Sequence, residues 1–344
     1  MSDTALPIQL TARDFKSDQE VRWCPGCGDY AVLAAVQSFM PELGIPRENI
    51  VFVSGIGCSS RFPYYMNTYG IHSIHGRAPA IATGLSVSRP DLSVWVVTGD
   101  GDSLSIGGNH LIHALRRNVN LKILMFNNRI YGLTKGQYSP TSELGKITKS
   151  TPSGSADTPF NPLSLALGAE ATFVARTIDS DRKHLTSVLR AASQHEGSAF
   201  IEIYQNCNIF NDGAFDVLKD PATRDDYTIR LEHGKPITFG AESEWCVVHP
   251  PGAFGLSVHR TSEVAASDIL THDANVDDPA YAFALSRLPA LDLRYTPIGV
   301  FRDVARPSYD SIVTSQVSAA RASAGIPEED LASLLNSGDT WTIK

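Results

Sequence analysis

Four short apolar runs constrain this chain most: "NIVFVSG" (49–55), "LSVWVVTG" (92–99), "LKILMFNN" (121–128) and "AFIEIYQ" (199–205). They do not alternate apolar with polar residues, so each reads as a strand covered on both faces, and the segments between them are too long for hairpins. Helical stretches are expected at 29–40, with Asp29 as N-cap, at 76–88, through "GGNHLIHALRRN", at 162–168 and at 181–195. A further strand is expected at 171–175, after a Ser/Thr/Gly/Pro-rich loop at 138–160. This alternation predicts an α/β fold: a doubly wound parallel sheet with helices on both faces.

The pattern changes after residue 207. Prolines, charges and short runs such as "WCVVHP" and "FGLSVH" predict an irregular C-terminal extension with a final helix near 327–336. Its apolar runs are too few for a core of its own, which favours an arm that contacts a partner subunit over a tail lying on the first domain. The expected organisation is a polar N-terminal arm (1–22), a binding domain (23–207) and the extension (208–344).

Hydrophobic content of 42% against 19% charged describes a folded protein, and the formal net charge of −8 comes without a Lys/Arg-rich cluster. That argues against nucleic acid as the partner, which needs a basic footprint, but not against a small phosphorylated ligand held by backbone N–H groups. No apolar segment has the length of a signal peptide or a membrane span, so a cytoplasmic protein without membrane attachment is expected. In that compartment closely spaced cysteines more often bind metal or do redox chemistry than form structural disulfides.

In parallel sheets ligands sit outside the carboxyl ends of the strands, and each unusual motif here falls at such an end: Gly55–Cys58, Gly99–Asp102, Asn127–Asn128 and Cys207. In "VVTGDGDSLSIGGNH", Gly99 and Gly101 let main-chain N–H groups approach a phosphate. Asp100 and Asp102 repel a diphosphate unless a divalent cation stands between, and Mg²⁺ takes one or two protein oxygens plus phosphate oxygens. Asn128, one strand later, is placed to add an amide oxygen. Cys24 and Cys27 form "CPGC"; with the solitary Cys58 and Cys207 they could close a Zn²⁺ site or a [4Fe–4S] cluster, and spacing does not separate the two. Cys246, between Trp245 and Val247, reads as an ordinary buried cysteine. His110 and His113 share a helix face without further ligands nearby.

Strand, GDGD, helix, strand and NN together resemble the diphosphate-binding domain of thiamine-diphosphate enzymes. That resemblance implies Mg²⁺ held by Asp100, Asn128 and the backbone carbonyl of Ile130. "WCPGCG", "GIGCSSR", "HGRAPAIATGL", "GDGDSLSIGGNH" and "NNRIYGLTKGQYSPTS" narrow it: the chain resembles the beta subunit of 2-oxoacid:ferredoxin oxidoreductases, closely over 20–215 and more weakly through "GVFRDVARPSYD". The resemblance implies a [4Fe–4S] cluster on Cys24, Cys27, Cys58 and Cys207, with Gly57, Cys58, Ser59, His75, Gly76, Gly99, Gly101, Asp102, Gly132, Leu133 and Thr134 around thiamine diphosphate.

Arg61 and Lys135 could receive a distal substrate carboxylate, Arg as a fork and Lys as a point charge. The implied reaction is the CoA-dependent oxidative decarboxylation of 2-oxoglutarate to succinyl-CoA and CO₂, with electrons passed to ferredoxin. Pyruvate or a broad range of 2-oxoacids is the alternative. Rival classes are a cluster-free thiamine-dependent lyase or synthase and a zinc-bound non-catalytic scaffold. Thiamine enzymes also need a carboxylate against the aminopyrimidine from a second domain, which this chain lacks. The expected partner is therefore an alpha subunit, in an assembly of two alpha and two beta chains, without which this subunit is nearly inactive.

Overall fold

The computed structural model describes residues 10–290, 292–324 and 331–343. Seven strands come first in chain order: β1 (Ile50–Ser54), β2 (Tyr69–His72), β3 (Ser93–Gly99), β4 (Lys122–Asn127), β5 (Phe173–Ile178), β6 (Ala199–Tyr204) and β7 (Thr228–Leu231). The remainder are β8 (Thr238–Phe239), β9 (Trp245–Val248), β10 (Ser257–Arg260) and β11 (Thr296–Asp303). Eight of them form one sheet in the order β2-β1-β3-β4-β6-β5-β11-β7, parallel throughout except where β11 pairs antiparallel with β5.

The apolar runs are continuous because both faces are covered. On one face Val51, Val53, Val94, Val96, Ile123 and Met125 meet Ala78 and Ala82 of helix Ala78–Ser88 and Leu111 and Leu115 of helix Gly108–Arg116. The residues between them, Ile50, Phe52, Trp95, Val97, Leu124 and Phe126, face helices Asp29–Phe39 and Arg182–Gln194 through Val32, Val36, Leu185 and Leu189. The period of two survives, but with both sides apolar it cannot be read as alternation.

Residues 208–344 differ from the irregular extension expected of them. β7 and β11 finish the main sheet, and β8, β9 and β10 form a small antiparallel sheet. Two buried arginines tie this part to the rest. Arg176 of β5 pairs with Glu202 of β6 at 2.6 Å and reaches the Pro297 carbonyl of β11 at 3.4 Å. Arg302 of β11 donates to the carbonyls of Ala171, at 2.7 Å, and Asp277. The expected final helix is two: Tyr309–Ala324 and Leu331–Leu335, with 327–330 outside the described residues. The N-terminal arm is anchored where it is described, with Phe15 buried and Lys16 bridging Met66.

Asp29 is not an N-cap. Gly28 occupies that position, its N–H bonded to the Asn206 carbonyl, and Asp29 is the first helical residue, with its carboxyl buried. Burial pushes that carboxyl up to about 7.

Lys122, at the start of β4, is buried with its ammonium donating to the His195 carbonyl at 2.7 Å and to Asn120 Oδ1 at 2.9 Å. Burial lowers its pKa to about 8, so between there and its ordinary value near 10.5 the unfolded chain binds the extra proton. Wild type is therefore expected to gain stability over Lys122→Met as pH rises from 8 to 10.5, by at most about 3 kcal/mol. Denaturant melts of both proteins across that range measure it.

Candidate functional site

The sheet reverses its winding at β1, which has β2 on one side and β3 on the other, so a crevice opens at the carboxyl ends of β1 and β3. The turn after β1 carries Gly57, Cys58 and Ser59; the turn after β3 carries Gly99–Asp102; β4 ends at Asn127 and Asn128. Neighbouring parallel strands thus bring three chain-distant motifs to one rim. Gly57 has φ +143°, a backbone state closed to ordinary L residues, and Gly101 lies so close to the Tyr131 ring that a Cβ would collide with it. The Tyr131 hydroxyl also donates to the Gly101 carbonyl at 3.1 Å.

Asp100 is almost wholly buried, and two hydroxyls converge on its Oδ2: Ser139 at 2.5 Å and Thr141 at 2.6 Å. Burial outweighs these hydrogen bonds and pushes the carboxyl up to about 6. No cationic side chain pairs with it among the described residues. The amide oxygen of Asn128 accepts from the Ile130 N–H at 3.1 Å, which fixes its direction and leaves a lone pair. Asn127 is turned inward: its Nδ2 donates to Glu202 Oε1 at 2.7 Å.

Asp102 was expected at the cofactor, but its carboxylate is committed within the protein. Oδ1 accepts from His75 Nδ1 at 2.5 Å, the Gly76 N–H at 2.7 Å and the Ile56 N–H at 3.1 Å, while Oδ2 accepts from Thr98 at 2.7 Å. A carboxylate in this state only accepts, so the Nδ1 of His75 carries the proton. Asp102 therefore sets the position of His75 and Gly76. Thr134, also expected around the cofactor, spends its hydroxyl on Gln137 Oε1 at 2.5 Å within its own turn.

Cys24, Cys27, Cys58 and Cys207 line one cavity of about 230 Å³, together with Arg22, Arg61, Asn128, Leu133 and Lys135. A Cβ at Gly132 would stand 3.5 Å from the Cys58 sulfur and 3.6 Å from that of Cys207, so the turn after β4 forms the cavity floor. The "CPGC" knuckle is tied down by Gln205, whose Nε2 donates to Cys27 Sγ at 3.3 Å, and by Asn208, whose Nδ2 donates to the Pro25 carbonyl at 2.6 Å. Trp23 donates to the Cys58 carbonyl at 2.6 Å. Burial, followed by the nearby Asp29, pushes the Cys27 and Cys58 thiols up, Cys58 to about 12. Without a cation these sulfurs stay protonated and unreactive. Among the described residues no three His, Cys, Asp or Glu groups are gathered around a single ion position. Cys246 is buried in the small sheet, away from the cavity.

A second cavity, of about 420 Å³, is lined by Arg22, Arg61, Leu133, Gly57, Tyr64 and His72 among others. Arg22, Arg61 and Leu133 line both cavities; Lys135 lines the thiol cavity.

Residues 55–203 match the family of thiamine pyrophosphate enzymes, C-terminal TPP binding domain. The 2-oxoglutarate oxidoreductase subunit KorB of Mycobacterium tuberculosis is 66% identical over 331 residues, covering 96% of this chain and 88% of that protein. The chain belongs to the beta-subunit family of the 2-oxoacid:ferredoxin oxidoreductases. Another member of that family, the 2-oxoglutarate synthase subunit KorB of Methanocaldococcus jannaschii, is 42% identical over 58% of this chain and 74% of its own length. A structure of the family's 2-oxoglutarate:ferredoxin oxidoreductase from Magnetococcus marinus, with 2-oxoglutarate, coenzyme A and succinyl-CoA bound, superimposes with a TM-score of 0.74. It is 33% identical, and the match covers 97% of both chains. The eight-stranded, mostly parallel sheet is the fold expected of such a subunit.

Asn127 was singled out only as half of the NN motif at the end of β4, and sequence reasoning missed Ser139 and Thr141, whose hydroxyls meet Asp100. The only signal was the hydroxyl-rich "YSPTS", which by itself reads as a loop.

Proposed function

We propose that this chain is the cofactor-binding beta subunit of a 2-oxoglutarate:ferredoxin oxidoreductase. It would act with an alpha subunit to convert 2-oxoglutarate and coenzyme A to succinyl-CoA and CO₂, with electrons passed to ferredoxin. The observation that carries this reading is the shared wall of Arg22, Arg61 and Leu133 between the thiol cavity, which Asn128 also lines, and the cavity beside Gly57. A cofactor site and a redox site that share a wall suit chemistry that ends in electron transfer.

The residues present fit the implied groups. Asp100 is a buried carboxyl without a counter-charge among the described residues, and Asn128 presents a fixed amide oxygen on the same rim, as a hard cation such as Mg²⁺ requires. An all-sulfur donor set of one CxxC knuckle and two solitary cysteines around one cavity fits a multi-iron cluster. When bound, thiamine diphosphate supplies the electron sink for decarboxylation and a [4Fe–4S] cluster accepts single electrons. The chain's own residues hold and orient: Asp100, Asn128 and the Ile130 carbonyl the cation, Asp102 the His75 ring, and Cys24, Cys27, Cys58 and Cys207 the cluster.

Arg61 is the candidate for the distal carboxylate of 2-oxoglutarate, because its fork stands on the shared wall; Lys135, on the thiol cavity, is the second candidate. Pyruvate would leave that fork unpaired. The alpha subunit would cover the edge strand β2, all four residues of which are exposed, Tyr69 and Ile71 included, with exposed Tyr64, Ile74 and Ile106 on nearby segments. An uncovered apolar edge of this kind invites pairing.

The test is low-temperature EPR on the anaerobically co-purified complex. A reduced-cluster signal is expected on adding 2-oxoglutarate with CoA, and a weaker one with pyruvate. A sample that stays silent even with dithionite and contains zinc instead of iron would overturn the proposal.

A further inference from the structure

We propose that Thr141, with Ser139 beside it, is a positioning residue for the cation site, acting through Asp100. The inference rests on the cation site proposed above and names residues that neither the motif nor the spacing assigns.

Both hydroxyls reach the same carboxylate oxygen, Oδ2, at 2.6 Å from Thr141 and 2.5 Å from Ser139. Two donors on one oxygen fix the rotation of the carboxylate and leave Oδ1 as the oxygen they do not use. Thr141 Oγ1 also lies 2.8 Å from Asn127 Oδ1. That oxygen and Asp100 Oδ2 are both acceptors, and the hydroxyl has one proton. The anionic acceptor takes it, and Asn127 Oδ1 is served by the Arg129 N–H at 3.1 Å. Asn127 is in turn held by Glu202, and Glu202 by Arg176.

Packing alone does not account for this arrangement. Ser139, Thr141, Ser142 and Asp100 are all buried, where a polar side chain costs free energy unless it is hydrogen-bonded. A valine at 141 would be close in volume but would take one donor from the buried Asp100 carboxylate. The hydroxyls are placed where they constrain the one carboxylate the cation requires, as the groups behind metal ligands do.

The experiment uses the assembled alpha–beta complex stripped of cofactor and metal, with Mg²⁺-dependent thiamine diphosphate binding followed by calorimetry. Thr141→Val is expected to raise the Mg²⁺ dissociation constant by about 10- to 100-fold. Thr141→Ser, which keeps the hydroxyl, is expected to restore the affinity to near wild type. A Thr141→Val complex that binds Mg²⁺ like wild type overturns the proposal. So does a Thr141→Ser complex as weak as Thr141→Val, because the methyl group rather than the hydroxyl would then be responsible. Should Thr141→Val fail to assemble, Ser139→Ala removes a donor from the same oxygen: weakened Mg²⁺ binding supports the proposal and unchanged binding overturns it. A wild-type complex without any Mg²⁺-dependent binding removes the functional reading as well, whereas a wild type that binds beside an equally tight Thr141→Val removes this inference alone.

Discussion

Asp100→Asn is expected to abolish Mg²⁺-dependent thiamine diphosphate binding to the assembled complex, raising the Mg²⁺ dissociation constant by more than about 100-fold. Removing a group behind a ligand costs about 10- to 100-fold, and the proposed function makes Asp100 the charged ligand itself. The amide is nearly isosteric and still accepts from Ser139 and Thr141, so the shape of the site is retained. The same change should not destabilise the cofactor-free protein. Burial pushes the Asp100 carboxyl up to about 6, which means that at neutral pH the fold carries an ionised group it would rather protonate. Removing that charge relieves at most about 3 kcal/mol. The sign is specific: between pH 6 and the ordinary value of 3.8 the folded chain binds the extra proton, so wild type gains stability relative to the variant as pH falls through that window. Loss of binding together with an unchanged or higher melting temperature at pH 7 is the expected pair of results. A variant that binds Mg²⁺ normally would remove Asp100 from the cation site.

Cys207→Ser is expected to remove most of the iron and the reduced-cluster EPR signal while thiamine diphosphate still binds, and Cys246→Ser is expected to leave iron content unchanged. Both cysteines are buried, so loss of a buried thiol is common to the two variants. They differ in surroundings: Cys207 shares a cavity with three other cysteines, and Cys246 lies in the small antiparallel sheet. Iron and acid-labile sulfide analysis alongside EPR reads the difference. Equal iron in both variants would detach Cys207 from the cluster.

The parts of the fold that were legible are those written in local periodicity. β1, β3, β4 and β6 lie where their apolar runs predicted, within about a residue, because a strand buried on both faces needs an unbroken apolar run. β5 begins at Phe173 and runs to Ile178, later than the expected 171–175, since Thr177 and the buried Arg176 interrupt the apolar pattern without interrupting the pairing. β2 was not foreseen: its four exposed residues carry no burial pattern. β11 was hidden by Pro297 and Gly299, and only the strands on either side make "TPIGVFRD" a strand.

The site divides along the same line. Which residue types stand at strand ends is a property of the sequence, and the rule that parallel strands present their carboxyl ends together was enough to bring Cys58, Asp100, Asn128 and Cys207 to one rim. What each group does there was decided by atoms far away in the chain. Asp100 and Asp102 are two residues apart and look equivalent in "GDGD". One accepts from the hydroxyls of a loop some forty positions on, while the other accepts from His75, Gly76, Ile56 and Thr98. Hydrogen bonds have a range of about 3 Å, and the spacing of letters along a chain does not encode distances of that kind. The sequence by itself therefore determined the layers, the rim and the chemistry available on it. Only the tertiary structure decided which donors each carboxylate meets, because that depends on what the fold brings within reach.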